Sequence, residues 1–562
     1  MGGENMNTIM PVGIENFKEA RDAYYVVDKT RLICQLLENH EKVTLFTRPR
    51  RFGKTLTMSM LAYFFSVDTS VESKNLFKGM DVEKAGEKYM KEQGAYPVIF
   101  LTLKGITGRS WQNAYDLFTF VIQKEYLKHS YLWNADVLLQ AEKEYCKRIV
   151  EGKARIAEYQ MSLLQLTEFL YRYFKKKPII LIDEYDVPIQ SAYEHDFYEE
   201  AMDFFRGWFN AALKGNEFLQ FAVLTGVLRI AKESIFSGLN NLEVYSVLQQ
   251  EYSDIFGFTT EEVQQIARDF NEEDKLPEIQ KWYDGYSFGG TDIYNPLSVG
   301  KYFRKHCVPD AYWVNTSNNF ILKKLLYKAD TDRIKALQRL MDGESVSTVL
   351  EEGLIYDDLE QEDASLYSLM LNTGYLKAIH VENETNGINV YDVKIPNEEI
   401  KLIYKRDILS TIVQGIQLNV FINFQKALVH GDAAYVSAKL AEILLKMVSF
   451  YDTHPKESFY HGLLLGMTCL LEGSMYQVES NQESGYGRFD LAIFPRNAAK
   501  AGVIMEFKVA KTETTLDDKA QEALQQIETK SYITEFQKRN IQHVWKYGIA
   551  FCGKHVKIVQ SI

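Results

Sequence analysis

The residues of this chain that could do chemistry fall in three places. Gly53-Lys54-Thr55 follows a basic turn, Arg48 to Arg51, and opens a run whose apolar residues recur at helical spacing from Leu56 onward. A glycine at the mouth of a helix lets backbone N–H groups face phosphate oxygens. A lysine ammonium then neutralises charge, and a threonine hydroxyl can reach a divalent cation. Arg51, Phe52, Gly53, Lys54, Thr55 and Leu56 are therefore the candidate phosphate-binding residues, with Thr55 also a candidate Mg²⁺ ligand. The pattern G-x-x-x-x-G-K-[ST] would put its first glycine at position 48, where Arg48 stands. Arg48, Arg50 and Arg51 are expected to crowd compensating charge beside the phosphate cradle. A basic turn before an ordinary helix would carry the same letters, so the reading leans on a partner elsewhere.

That partner is PIILIDEYDVPI, in which Ile179 to Ile182 make an apolar strand that delivers Asp183 and Glu184 at its C-terminal edge. Asp183 is the expected Mg²⁺ ligand, and Glu184 the residue that orients or activates an attacking water, because phosphoryl transfer depends mainly on positioning and electrostatics. A further apolar run, Phe221 to Ile230, reads as a strand carrying Thr225 and Arg229. Thr225 suits a sensor of water or γ-phosphate. Arg229 suits an arginine finger in cis or across a subunit contact, and equally a helix-surface arginine in a salt bridge.

The third place lies near the C-terminal end. Asp490 precedes the strand Leu491 to Phe494, and sixteen residues later Glu506 and Lys508 share one face of the strand Val503 to Val509 as i and i+2. Two carboxylates offer hard oxygen ligands to a divalent metal, and an ammonium can polarise or deprotonate a water and stabilise a pentavalent phosphate. Asp490 and Glu506 are the candidate metal ligands, with Asp490, Glu506 and Lys508 together suited to phosphodiester hydrolysis. Glu483, Gln526 and Arg488 are candidate helpers at ligand, water and phosphate. An exposed E-x-K pair on an ordinary strand is the plainer reading of Glu506 and Lys508 taken alone.

The elements that must position these residues follow the same periodicities. Strands at 43–46, 98–103, 179–182 and 221–230 alternate with helical stretches, which calls for a parallel, doubly wound sheet. Thr259 and Glu262 form a capping box that opens a helix to Phe270. The aromatic turn Trp282 to Val299 reads as packing, with Asn295-Pro296 starting a helix that could touch a base. Short strands are expected at 366–371, 376–380 and 390–395, and helices from Ile400 to Leu471. The 562 residues suggest three units of roughly 100 to 200 residues, give or take one: 1–245, 246–400 as a helical lid and connector, and 401–562.

Composition narrows the setting. No run approaches the roughly 18 apolar residues of a membrane span, and the start has no basic-then-apolar leader. Five scattered cysteines suggest neither disulfides nor zinc, and a reducing cytoplasm fits. A net charge of −12 disfavours a uniformly positive surface, although residues 496–562 hold eleven Lys/Arg against seven Asp/Glu. Contact with DNA or RNA would be local.

Together, TRPRRFGKTL (Thr47 to Leu56), LIDEYD (Leu181 to Asp186), LTGVLR (Leu224 to Arg229), WYDGY (Trp282 to Tyr286), YNPLS (Tyr294 to Ser298), IPNEE (Ile395 to Glu399), ESGYGRFD (Glu483 to Asp490) and MEFKV (Met505 to Val509) resemble a bacterial family of predicted AAA-like ATPases with a C-terminal PD-(D/E)XK nuclease-class domain. The resemblance spans nearly the whole chain. It implies an α/β protein: an N-terminal P-loop NTPase domain with a doubly wound parallel sheet, a helical middle region, and a C-terminal restriction-endonuclease-like domain. It also implies that an arginine at position 48 is the family's habit, that ATP and Mg²⁺ are the cofactors, and that Asp490 and Glu506 are metal ligands and Lys508 the catalytic lysine. The expected function is an ATPase coupled to a metal-dependent nuclease. The alternative is a nucleotide-controlled switch or scaffold whose nuclease-fold domain binds without cutting. An oligomer is compatible with either and demanded by neither.

Overall fold

A computed structural model describes residues 9–229, 236, 239–313, 336, 339–341, 343–351, 353, 363–381, 389–404, 418–447, 457–468, 471, 475–480, 483–484 and 487–561. The chain forms two compact units, Met1–Ser317 with Asp342–Ile400, and Asn318–Met341 with Lys401–Ile562.

In the first unit, β1 (Val43–Thr47), β2 (Val98–Thr102), β3 (Ile179–Asp183), β4 (Ala222–Gly226) and β5 (Leu242–Tyr245) form a five-stranded sheet in the order β2-β3-β4-β1-β5. Every pairing is parallel. Strands β1, β3 and β4 are buried along their whole length, as expected for a sheet covered by helices on both faces. The strand order has one consequence for chemistry: β4 lies between β1 and β3, so the ends of three strands converge. Phe46 pairs with Thr225, and Ile182 with Leu224.

Smaller antiparallel sheets complete this unit. β6 (Phe258–Thr259), β7 (Tyr286–Phe288) and β8 (Thr291–Tyr294) run in the order β6-β8-β7, and β9 (Val346–Val349), β10 (Lys377–Val381) and β11 (Val390–Lys394) in the order β10-β11-β9. The capping box at Thr259 and Glu262 starts the helix Thr260–Asp269, and Asn295 caps the helix Pro296–Arg304. Residues 366–371, expected as a strand, lie instead in the helix Asp363–Thr373. Leu366, Leu369, Met370 and Leu371 are all buried, and Ser365, Ser368, Asn372 and Thr373 are buried with them, so polarity does not separate an inner from an outer face and the 3.6-residue signal is lost.

The second unit holds β12 (Tyr476–Ser480), the two-stranded ribbon β13 (Glu483–Ser484) and β14 (Gly487–Arg488), then β15 (Leu491–Pro495), β16 (Gly502–Val509), β17 (Val544–Cys552) and β18 (His555–Ser561). The main sheet runs β12-β15-β16-β17-β18, antiparallel except for β16 and β17. A parallel pair needs a crossover, supplied by the helix Leu516–Thr529. Side chains alternate between two cores. Leu491, Ile493, Met505 and Phe507 pack with Leu428, Leu440 and Leu464 from the helices Leu418–His430, Ala433–Met447 and Glu457–Thr468, while Ala492, Phe494 and Ile504 pack with Ile527 and Phe536. Parts of the helical stretch expected over 400–471 lie outside the described residues.

Candidate functional site

At the exit of β1 the chain turns through Arg48–Gly53 into the helix Lys54–Phe65. Gly53 caps this helix at φ 85°, a left-handed conformation costly to residues with a Cβ, although a Cβ there would touch nothing. The need is conformational. Gly53→Ala is therefore expected to cost about 1–2 kcal/mol of stability and to weaken nucleotide affinity. Denaturation and a fluorescent nucleotide titration check both; no change in either would mean the turn relaxes freely.

Lys54 is buried and donates to the carbonyls of Arg48 and Pro49, both at 2.8 Å, so the loop closes as a ring around its ammonium. Burial pushes the Lys54 ammonium down to about 8. Thr55 donates from Oγ1 to Asp183 Oδ2 at 2.8 Å, and Thr225 from Oγ1 to Asp183 Oδ1 at 2.6 Å. Both carboxylate oxygens of the fully buried Asp183 are thus held by threonine hydroxyls from the flanking elements, in the place β4 occupies between β1 and β3. Glu184 follows at φ 56°, and burial, reinforced by the neighbouring Asp183 carboxylate, raises its pKa.

Lys54, Thr55 and Glu184 also line a cavity of about 330 Å³, together with Arg51, Lys104, Gly53 and Leu56 and with apolar residues that include Met10, Val12, Val27, Phe52 and Leu297; Asp183 and Thr225 do not line it. The N-terminal segment contributes Met10 and Val12 to this cavity's wall without any charged cluster or motif that would announce the role in the sequence. Leu297 comes from the helix that Asn295-Pro296 starts. Arg229 is half-buried three residues beyond Gly226 and does not line this cavity.

Arg48 departs from expectation. It does not add charge to the cradle: its guanidinium is fully buried on the other side of the loop, donating to the carbonyls of Thr47, Tyr245 and Tyr252 at 3.0, 2.7 and 3.1 Å and resting over the rings of Phe256 and Phe288. Burial lowers its pKa to about 9. Phe52 likewise turns inward onto Tyr286 and Phe288, with ring centroids at 5.0 and 5.3 Å, so the aromatic turn after Trp282 packs the loop from behind. The arginine thus replaces a flexible glycine with a bolt. Arg48→Gly, which restores the common motif, is expected to destabilise the protein by about 3 kcal/mol or more, since it strands buried carbonyls. Urea denaturation checks this, and an unchanged midpoint would show the bolt to be dispensable.

In the second unit, β15 and β16 pair Leu491 with Met505, and one more step of that antiparallel register sets Asp490 opposite Glu506. Asp490 Oδ2 accepts from the Phe507 amide at 2.7 Å, and burial raises the Asp490 pKa. Glu506 is 3% exposed, with Lys508 Nζ at 3.8 Å from its Oε1. Gln526, from the crossover helix, donates to the same Oε1 and stands 3.3 Å from the Tyr532 hydroxyl. Tyr532 in turn donates to the Arg488 carbonyl at 2.8 Å, so Arg488 contributes backbone here while its side chain is exposed. His461, which the sequence reading did not single out, lies 2.9 Å through Nε2 from the Asp490 carbonyl. The side chain of Glu483 lies outside the described residues.

The donor chemistry at both places suits hard divalent cations: hydroxyl and carboxylate oxygens at Thr55 and Asp183, and the carboxylates of Asp490 and Glu506 at the end of the β15–β16 pairing. Among the described residues no three His, Cys, Asp or Glu side chains gather at one point, and no helix is long and apolar enough to cross a membrane.

Comparison with known proteins agrees with this division. Residues 11–236 match the family described as Predicted AAA-ATPase, and residues 455–561 match the PD-(D/E)XK nuclease superfamily. A curated protein of Azotobacter chroococcum mcd 1, described as an uncharacterized protein in the vnfD 5' region, is 27% identical over 568 residues, covering 96% of each chain. No solved structure matches.

Proposed function

We propose, from the match of residues 11–236 to the predicted AAA-ATPase family and of residues 455–561 to the PD-(D/E)XK nuclease superfamily, that the chain binds and hydrolyses ATP and cleaves nucleic-acid phosphodiesters. Residues 1–245 form the ATPase domain in this reading, 246–400 the lid and connector, and 401–562 the nuclease domain with its preceding helices. The observation that carries the reading is the Asp183 carboxylate held on both oxygens by Thr55 and Thr225 beneath the Lys54 loop.

In the ATPase domain, the Lys54 ammonium exchanges its loop carbonyls for β- and γ-phosphate oxygens, and the amides of Gly53 to Thr55 bind the same oxygens at the helix N-terminus. Arg51 adds charge at the mouth. Thr55 and Asp183 would hold Mg²⁺, whose charge neutralisation of the phosphates is the chemistry the ion supplies. Glu184 orients the attacking water and accepts its proton, and Arg229 stabilises transferred charge, in cis or from a second copy.

In the C-terminal domain, Asp490 and Glu506 would hold a divalent cation that polarises the scissile phosphate. Lys508 positions the water and stabilises the pentavalent phosphate, and Gln526 keeps Glu506 turned toward it. The location that fits these chemistries is the cytoplasm. The test is incubation of purified protein with labelled single- and double-stranded DNA and RNA, with Mg²⁺ or Mn²⁺, with and without ATP. Intact substrates in every lane would favour the nucleotide-controlled binding module instead.

A further inference from the structure

After Asp183 and Glu184 the sequence continues Tyr185-Asp186, and neither residue has a part in the chemistry described so far. Both turn away from the cavity onto the end of β4. The Tyr185 amide donates to the Thr225 carbonyl at 3.0 Å, and its hydroxyl to the Leu228 carbonyl at 2.6 Å. One carboxylate oxygen of Asp186, Oδ2, accepts from the amides of Val227 and Leu228 at 2.8 and 2.9 Å. Tyr185 and Asp186 are 0% and 1% exposed, so these bonds are made away from water, where they are strongest.

The contact is also sterically closed. A Cβ at Gly226 would stand 2.6 Å from Tyr185 Cε1 and 2.8 Å from Asp186 Oδ1, so only glycine admits the two side chains. The Gly226 carbonyl meanwhile accepts from the Arg48 amide at 3.1 Å. The exit of β4 is thus fixed to the entrance of the phosphate loop on one side and to the chain leaving Glu184 on the other. The same bonds account for β4 ending at Gly226: Val227 and Leu228 give their amides to Asp186 instead of a neighbouring strand.

From this geometry we infer that Tyr185 and Asp186 are positioning residues for nucleotide hydrolysis, a clamp that keeps Thr225 on Asp183 and holds the turn toward Arg229 in register with Glu184. The inference rests on the ATPase reading above. It is distinct from a folding role because the groups it aligns are the hydroxyl that orients the Asp183 carboxylate and the glutamate beside it. Displacement of such groups by about 1 Å can cost two orders of magnitude in rate with little effect on ground-state binding.

The experiment compares Asp186→Ala, Asp186→Asn and Tyr185→Phe with the wild-type full chain. Three quantities are followed: ATP turnover, affinity for a fluorescent ATP analogue with and without Mg²⁺, and hydrogen exchange at residues 222–228. Asp186→Ala is expected to lower kcat by about tenfold or more with metal-free nucleotide affinity within about twofold, and to speed exchange of the Val227 and Leu228 amides. Asp186→Asn keeps an oxygen in place for both amides and is expected to recover most of the loss; an asparagine variant as poor as the alanine one would overturn the clamp. Unchanged kcat in Asp186→Ala would overturn it too. If the alanine variant does not fold, Tyr185→Phe removes one bond only, and full turnover there would count against the inference. Wild-type protein that binds nucleotide without hydrolysing it would end the ATPase reading alone. In that case the exchange data and the Mg²⁺-dependent gain in affinity, expected to shrink in Asp186→Ala and persist in Asp186→Asn, still decide the clamp.

Discussion

Glutamine in place of Glu184 will lower ATP turnover by about 10²–10⁴-fold while leaving Mg²⁺-dependent nucleotide binding close to wild type. The side chain lines the cavity together with Lys54 and Thr55, the place proposed for the phosphates, and Gln fills the same space without accepting a proton. Its environment also sets a pH profile. Because burial and the Asp183 charge raise the Glu184 pKa, the ionised base is lost at a higher pH than for an ordinary glutamate, so kcat/KM falls on the acid side earlier than usual. On the alkaline side, the free protein loses the Lys54 ammonium as pH rises through about 8, and kcat/KM falls again. Glu184→Gln should remove the acid limb and keep the alkaline one. Steady-state kinetics between pH 5 and 10, with direct titration of nucleotide, measure all of this. Turnover equal to wild type in the glutamine variant would transfer the proton-accepting role elsewhere.

Lys508→Ala is expected to lower the proposed nucleic-acid cleavage by about 10²–10³-fold or more, with substrate binding retained. The ammonium stands 3.8 Å from Glu506 Oε1, on the strand face where Glu506 meets Gln526, so its removal takes away charge where the scissile phosphate is proposed to bind and leaves the core intact. Glu506→Gln should have a second readout: the gain in melting temperature that Mg²⁺ or Mn²⁺ gives the wild-type protein should shrink, because one of the two carboxylates proposed to hold the cation is gone. Cleavage undiminished in Lys508→Ala would exclude this lysine. A metal-induced melting shift without cleavage in the wild type would point to the binding module. Adding Lys54→Ala to the comparison asks whether nucleotide governs the second site; equal cleavage with and without ATP in both proteins would leave the two chemistries uncoupled.

The fold class and the two-part family resemblance were legible in the sequence, and the reason lies in local physics. Short apolar runs such as Ile179 to Ile182 read as buried strands where turn residues and helical periodicity flank them, and GKT, DE and E-x-K each suggest a charge-handling task through residue type and spacing. Periodicity was weakest where burial is nearly complete, at 366–371, because Ser365 and Ser368 are buried with the leucines and polarity no longer marks an exposed face.

The direction in which a residue points at a turn was not legible. Arg48 read as one more cation beside the phosphates, yet the carbonyls of Tyr245 and Tyr252, nearly two hundred residues onward, draw it into the core. Asp186 read as the tail of a motif, and only the placement of β4 between β1 and β3 gives its carboxylate the amides of Val227 and Leu228. The sequence by itself determined most of the elements, the nearly buried helix over 366–371 excepted, and which residue types stand at their ends, since these follow from propensity and pattern over a dozen residues. Tertiary structure alone decided which of those ends meet, that Thr55 and Thr225 share one carboxylate and that Asp490 accepts from the amide next to Glu506. Strand order and register are set by long-range pairing, on which no local pattern reports.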